Sequence, residues 1–176
     1  MDDLSIYSLM AKSEYKEQAF KELYTRYSTK MYAYCRRILF DGAAAEDIFQ
    51  EVFISLLKDA ENGKEIKSLP AYLLTVAKNL SLNHHRNYKR YVDIDSLELK
   101  DESKEDNGEL SEIMNRALEL LPENYRDAIV LHNYMGFSYE EIANLRNISL
   151  SDVKNFISRG KQKLKVILQP YFEYKQ

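Results

Sequence analysis

At 176 residues and 45% hydrophobic, the chain can form one large domain or two small ones, and five glycines and three prolines leave long stretches free for helices. A net charge of −3 excludes a uniformly basic surface, so any contact with phosphate must come from local clusters. One cysteine, Cys35, allows no internal disulfide and suits a reducing cytoplasm; with no basic-then-apolar leader and no apolar run of bilayer length, neither secretion nor membrane insertion is expected.

The first strong pattern runs through Phe20, Leu23, Tyr24, Tyr27, Met31, Tyr34, Cys35 and Ile38, whose intervals of three and four predict a helix buried along one side. Packing in this aromatic-rich helix is the expected role of Cys35. A second helix follows in AAAEDIFQEVFISLLKD. Its stripe is Ile48, Phe49, Val52, Phe53, Leu56 and Leu57, which leaves Asp47, Gln50, Glu51 and Ile54 on other faces. Asn62-Gly63, within DAENGKEIKS (59–68), is a turn signal.

A third helix begins at SLPAYLLTVAKNL, with Pro70 tolerated in its first turn and Leu73, Val76, Ala77 and Leu80 inside. Its other face carries Thr75, Lys78, Asn79, Asn83, Arg86, Lys89 and Arg90. A solvated face is the plain explanation for such residues. The mixture of amides and cations ending in a basic cluster also suits a nucleic-acid backbone with exposed bases.

Between Asp93 and Glu112 nine acidic residues face only Lys100 and Lys104, a local balance of −7 that leaves +4 for the rest of the chain. With few aromatics to bury, this segment is expected to be a flexible acidic linker, residues 93–110, between a domain at 1–92 and another at 111–176. In the second domain Ile113, Ala117, Leu120 and Leu121 form one stripe, Pro122 breaks it, and Ala128, Ile129, Leu131 and Tyr134 form the next.

Then comes GFSYEEIANLRNISLSDVKNFISRGKQKL. Ser138 and Glu141 have capping-box spacing, so a helix starts near Tyr139; Ile142, Ala143 and Leu145 give its stripe, and Asn147 tolerates the left-handed turn that ends it. Ser149 or Ser151 caps a longer helix with Val153, Phe156 or Ile157, and Leu164 inside. Ser151, Lys154, Asn155, Ser158, Arg159, Lys161 and Lys163 fall largely elsewhere. Cations near a helix end also favour the helix dipole, yet the brief hinge between a short and a long helix is the helix-turn-helix pattern, whose second helix can enter a major groove. The fold class expected is all-α, two small helical domains with the helix-turn-helix in the second.

His84, His85 and His132 are the only histidines, and no metal-ligand or nucleophile spacing accompanies them. No catalytic residue, metal site or cofactor is therefore expected, and an enzyme is disfavoured.

AEDIFQEVF, AYLLTVAKNLSLNHHR and LPENYRDAIVLHNYMGFSYEEIANLRNISLSDVKNFISRGKQKL, in that order across a linker, resemble the extracytoplasmic-function group of bacterial RNA polymerase sigma factors from about Phe20 to Leu168. The resemblance implies that Asp47, Gln50 and Glu51 dock on core RNA polymerase, with Phe53 in the core. It implies that the third helix melts and reads the minus-ten promoter element through Lys78, Asn79, Asn83, Arg86, Lys89 and Arg90, with Asn62 in a base-capturing loop. The helix from Leu150 would read the minus-thirty-five element as duplex DNA through Ser151, Lys154, Asn155, Ser158, Arg159 and Lys161.

Four positions depart from the family pattern: Tyr72 replaces a usual Trp, Thr75 a common Arg, Asn83 a common Asp and Gly160 a usual Ala. An amide at 83 donates as well as accepts, so the preferred bases do not carry over. Close approach of backbone is the expected compensation for Gly160. Extended, the eighteen linker residues reach roughly 60 Å, comparable to a promoter spacer. An anti-sigma factor is a further partner at family level. The alternative is a stand-alone helix-turn-helix regulator with a helical sensor, which gives no account of AEDIFQEVF.

Overall fold

The computed structural model describes residues 1–92 and 109–173, with side chains described except at 85, 87–92, 109 and 173. Its elements divide between two compact units. The expected acidic linker lies outside the described residues up to 108, and helix already begins at Glu109 rather than Ser111.

The first unit contains α1 (Asp3–Leu9), α2 (Lys16–Ile38), α3 (Gly42–Glu61) and α4 (Leu69–Val92). Leu23, Met31, Tyr34, Cys35 and Ile38 of α2 meet Ile48, Val52, Phe53 and Leu56 of α3, all buried. Tyr24, expected inside, is 39% exposed and completes an aromatic cluster with Phe20, Phe49 and Phe53 instead. Asp41 starts α3 by accepting from the Ala43 and Ala44 amides at 2.9 and 3.2 Å. The buried side of α4 is Leu69, Leu73, Leu74, Ala77 and Ser81; Val76 and Leu80, expected inside, are half-buried. Ser81 fits this interior because its hydroxyl donates to the Ala77 carbonyl at 2.8 Å.

Helix α1 is too short to show a period, and its signal is a cap. Asp2 accepts from the Ser5 amide at 3.0 Å, and Ile6, Tyr7 and Met10 are buried beneath it.

The second unit contains α5 (Glu109–Glu119), α6 (Glu123–Ile129) continued by a π-helical turn at Val130–Tyr134, α7 (Tyr139–Arg146) and α8 (Leu150–Glu173). The inner side of α5 is Ala117 and Leu118, with Leu121 buried in the turn just after it, whereas Leu120, expected inside, is 69% exposed. Ala128, Ile129, Val130 and Leu131 are buried in succession because α6 and its π turn have α7 or α8 packed on several sides; Tyr134, expected inside, is 40% exposed.

Two features hold these short helices. Arg126, buried, donates through Nε to the Leu118 carbonyl at 3.1 Å and through Nη2 to the Glu119 and Leu121 carbonyls at 3.3 and 3.1 Å. The first two are carbonyls at the end of α5 that a helix cannot satisfy itself, and the third lies in the turn that follows. Arg146 grips Asp127 with two bonds, Nε to Oδ2 at 2.7 Å and Nη2 to Oδ1 at 2.8 Å, and their side chains are only 8% and 5% exposed. That pair fixes α7 on α6.

Among the described residues no helix is long and apolar enough to cross a membrane. No group of three or more His, Cys, Asp or Glu side chains among them is arranged to hold a metal ion.

Candidate functional site

On α3, positions 47, 50, 51 and 54 follow helical spacing opposite the buried stripe. Asp47, Gln50 and Ile54 are exposed, and Glu51 is half-buried. The result is a face with two carboxylates, one amide and an aliphatic side chain, able to meet Arg or Lys on another protein across a partly apolar contact. Phe53 lies in the core, 3% exposed, and takes no part in it.

On α4, Thr75, Asn79, Asn83 and Arg86 recur along one exposed side, with Lys78 half-buried beside them. The Thr75 hydroxyl donates to the Ala71 carbonyl at 2.7 Å, which leaves the amides and the guanidinium as the outward groups of that side. The side chains of Lys89 and Arg90 lie outside the described residues. From Asn79 to Arg86 the helix advances about 10 Å, the length of two to three stacked nucleotides.

Asn62 is not on this face. It ends α3, because that helix runs to Glu61 and takes in the first three residues of the loop expected at 59–68. Gly63 follows with φ of +69°, a turn conformation open to glycine. Asp59 in the last turn of α3 joins this corner to α4 by accepting from the Tyr72 hydroxyl at 2.7 Å and from Lys64 Nζ at 2.6 Å. These bonds, Lys64 first, hold the Asp59 carboxyl below the usual carboxylate range, while burial and then the same carboxylate push the Tyr72 phenol well above its ordinary value. Tyr72, half-buried, thus serves as a polar clamp.

In the second unit the helix-turn-helix has both its expected caps. Ser138 accepts from the Glu141 amide at 3.2 Å while Glu141 accepts from the Ser138 amide at 2.7 Å, and these bonds lower the Glu141 pKa. Asn147 closes α7 in the left-handed region, φ 52° and ψ 49°, and the Ile148 amide donates back to the Ala143 carbonyl at 3.0 Å. Ser149 starts α8 by accepting from the Asp152 amide at 3.0 Å. Only residues 147–149 separate the helices.

Val153, Ile157, Gly160, Leu164 and Leu168 form the inner side of α8, with Phe156 at its margin against Tyr125 at 5.8 Å between ring centres. Ser151, Lys154, Asn155, Ser158, Arg159 and Lys161 are all exposed and occupy the opposite side. Gly160 is explained differently from the expectation of close backbone approach. A Cβ there would lie 2.6 Å from Ile129 Cδ1 and 3.2 Å from Tyr125 Cβ, so side chains of α6 fill its space.

The sequence reading missed Arg126, Asp127 and Arg146, which aim the helix-turn-helix from inside. A scan for apolar period assigns charged residues to the surface, and no local signal marks these three. It also missed α1.

Residues 23–91 match the family described as sigma-70 region 2, and residues 111–164 match sigma-70 region 4. The RNA polymerase sigma factor CarQ of Myxococcus xanthus is 28% identical over 157 residues, covering 86% of this chain and 90% of that protein. The ECF RNA polymerase sigma-E factor of Escherichia coli is 29% identical over 170 residues, covering 88% of each. Among solved structures, the sigma factor RpoE in complex with the anti-sigma factor NepR from Bartonella quintana superposes with a TM-score of 0.69 at 23% identity, over 85% of this chain and 96% of that one; it shares the fold.

Proposed function

The chain belongs to the extracytoplasmic-function group of the sigma-70 family, sigma factors that bind core RNA polymerase and direct promoter-specific initiation, and from that premise we propose how its faces divide the work. Residues 1–92 dock on the polymerase through Asp47, Gln50 and Glu51. The same domain meets the melted minus-ten element through Lys78, Asn79, Asn83, Arg86, Lys89 and Arg90, with Asn62 at the adjoining corner. Residues 111–176 place α8 in the major groove of the minus-thirty-five element, where Ser151, Lys154, Asn155, Ser158, Arg159 and Lys161 meet bases and phosphates. Arg159 is suited to a bidentate grip on guanine. Residues 93–110 join the two domains in sequence.

The observation that carries this reading is the presence, in one helical domain, of an exposed carboxylate-amide side on α3 and an exposed amide-cation side on α4. A regulator that binds DNA only through its helix-turn-helix needs neither. The proposed role requires no catalytic group of the chain's own, because the polymerase makes the RNA. It belongs in the cytoplasm, where polymerase and promoter meet, and an anti-sigma factor is the further partner we propose on family grounds.

Gln50→Ala with Glu51→Ala tests the docking face. The double variant keeps its helix content and thermal midpoint, since exposed substitutions usually change stability little, while its affinity for purified core polymerase falls. Undiminished core affinity would remove Gln50 and Glu51 from the interface.

A further inference from the structure

The loop 62–68 joins the helix with the docking side to the helix with the strand-facing side, and it is fastened from beneath. Asp59 Oδ2 receives both Lys64 Nζ and the Tyr72 hydroxyl, so one carboxylate oxygen ties the loop's first turn to the first turn of α4. The Lys64 ammonium also sits 5.4 Å from the centre of the Tyr72 ring. A third fastening comes from far away in sequence. The Tyr7 hydroxyl, on α1, donates to the Lys64 backbone carbonyl at 3.0 Å.

That bond differs from an ordinary loop contact. Tyr7 is 6% exposed, whereas Asn62, Gly63, Lys64, Glu65 and Lys67 are exposed, so the support lies inside and the loop's outer edge stays open. A buried phenol needs a partner, and the Lys64 carbonyl is the one it has here. Helix α1 is held in turn by Arg26, which bonds Asp3 at 2.8 Å, and by the Tyr27 hydroxyl on the same carboxylate. Lys16 pairs with Glu61 at the other edge of the corner. The N-terminal helix thus does more than cover core: it sets the height of one backbone carbonyl in the loop.

We propose that α1 braces this loop, and that Tyr7, together with Asp59 and Tyr72, is a positioning residue for recognition of the melted promoter strand. Held in one conformation, with the Asn62, Gly63 and Lys64 amides already bonded to α3 carbonyls, the loop offers the Asn62 side chain to an unstacked base without first having to order itself. Selectivity for that base then depends on a hydroxyl that never touches DNA. The inference rests on the assignment of the loop and α4 to the minus-ten element.

The test uses the full chain with core polymerase on a duplex promoter and on variants carrying each base substitution across the minus-ten element. Tyr7→Phe removes the hydroxyl and keeps the ring. It is expected to preserve helix content and core affinity and to lower discrimination at one or two minus-ten positions on the order of fivefold, the factor an ordinary hydrogen bond represents. Asp59→Asn, which leaves the size of the side chain unchanged, should relax the same positions. Asn79→Ala is measured beside them. If Asn79→Ala alters the minus-ten preference while Tyr7→Phe lowers activity equally on every template or not at all, the brace is refuted and the strand-reading assignment stands. If neither changes the preference, the assignment itself fails and the brace with it.

Discussion

In residues 1–92 three helices of 23, 20 and 24 residues bury a continuous apolar core, and beside the Tyr7 and Tyr34 phenols and the Cys35 thiol the described residues of that unit bury only the Ser81 hydroxyl and no charged side chain. In residues 109–173 the helices ahead of α8 have 11, 7 and 8 residues, and Arg126 and the Asp127–Arg146 pair are buried among them. Isolated helices so short are unstable in water, because nucleation costs more than a few hydrogen bonds return. Their angles must be fixed by something directional. A helix-turn-helix needs α7 held at a fixed angle, and the bidentate Asp127–Arg146 pair fixes it on α6, against which α8 also packs, where a few aliphatic contacts would let α7 slide. The first domain needs no such device because each long helix is positioned by several turns of packing.

The largest effect that would sharpen or break this comparison belongs to Asp127→Ala. It leaves the Arg146 guanidinium buried without its carboxylate, a loss of about 3–5 kcal/mol. Native-state hydrogen exchange should show protection falling throughout residues 111–168 and unchanged in α2 to α4. Replacing both partners by leucine should recover most of the loss, since an apolar pair of similar volume is often neutral. A cost below about 1 kcal/mol for the single variant would mean the pair does not hold α7.

In the first domain the corresponding break is a cavity. Leu73→Ala, at a fully buried position of α4, should cost about 2–5 kcal/mol and lower protection in α2, α3 and α4 together. Loss confined to α4 would show that the three helices are not one cooperative unit.

Gly160→Ala should have a smaller consequence. The added methyl meets Ile129 and Tyr125, an overpacking cost of about 1–3 kcal/mol, partly offset by about 1 kcal/mol of helix propensity. A modest fall in the midpoint of urea unfolding, relieved by adding Ile129→Val, is expected. Stabilisation by the single variant would show that α6 can move aside.

The smallest effect concerns pH and the first domain alone. Burial pushes the Cys35 thiol up to about 12, well above its unfolded value near 8.5. The folded state keeps a proton that the unfolded state releases, so the thiol's contribution is intact below about pH 8.5 and is lost as pH rises toward 12. About 1 kcal/mol should go within the first pH unit of that window, and Cys35→Ser should flatten the slope, as urea unfolding across pH 8 to 10 would reveal.

Much of the helix-turn-helix was legible because its signals are local. Ser138 and Glu141, Asn147 and Ser149 each act on backbone within three residues, so spacing alone announces them. The exposed site faces were legible for a related reason: once Val153 and Ile157 point inward, Lys154, Asn155 and Ser158 have no other side to occupy. Their partners were not legible in that way, and came from the order of three motifs. What escaped was non-local or contrary to type. Tyr7 meets Lys64 across fifty-seven positions, and nothing adjacent to either residue predicts the bond. Arg126 and Arg146 carry charge into the interior, where the usual expectation puts leucine. Leu120 looked like part of a stripe until Leu118 took the inner place.

The central claim, that two domains act together as a polymerase-bound promoter reader, is tested most directly by transcription with purified components. Core polymerase, a library of duplex promoter fragments and the full chain should yield defined start sites that vanish when the chain or the core enzyme is left out. Gln50→Ala with Glu51→Ala should weaken every start, whereas Arg159→Ala should redistribute them according to the minus-thirty-five sequence. If no start depends on the chain, while the chain alone binds particular duplexes tightly at the same salt, it is a stand-alone helix-turn-helix regulator and the division of labour proposed for its faces is wrong.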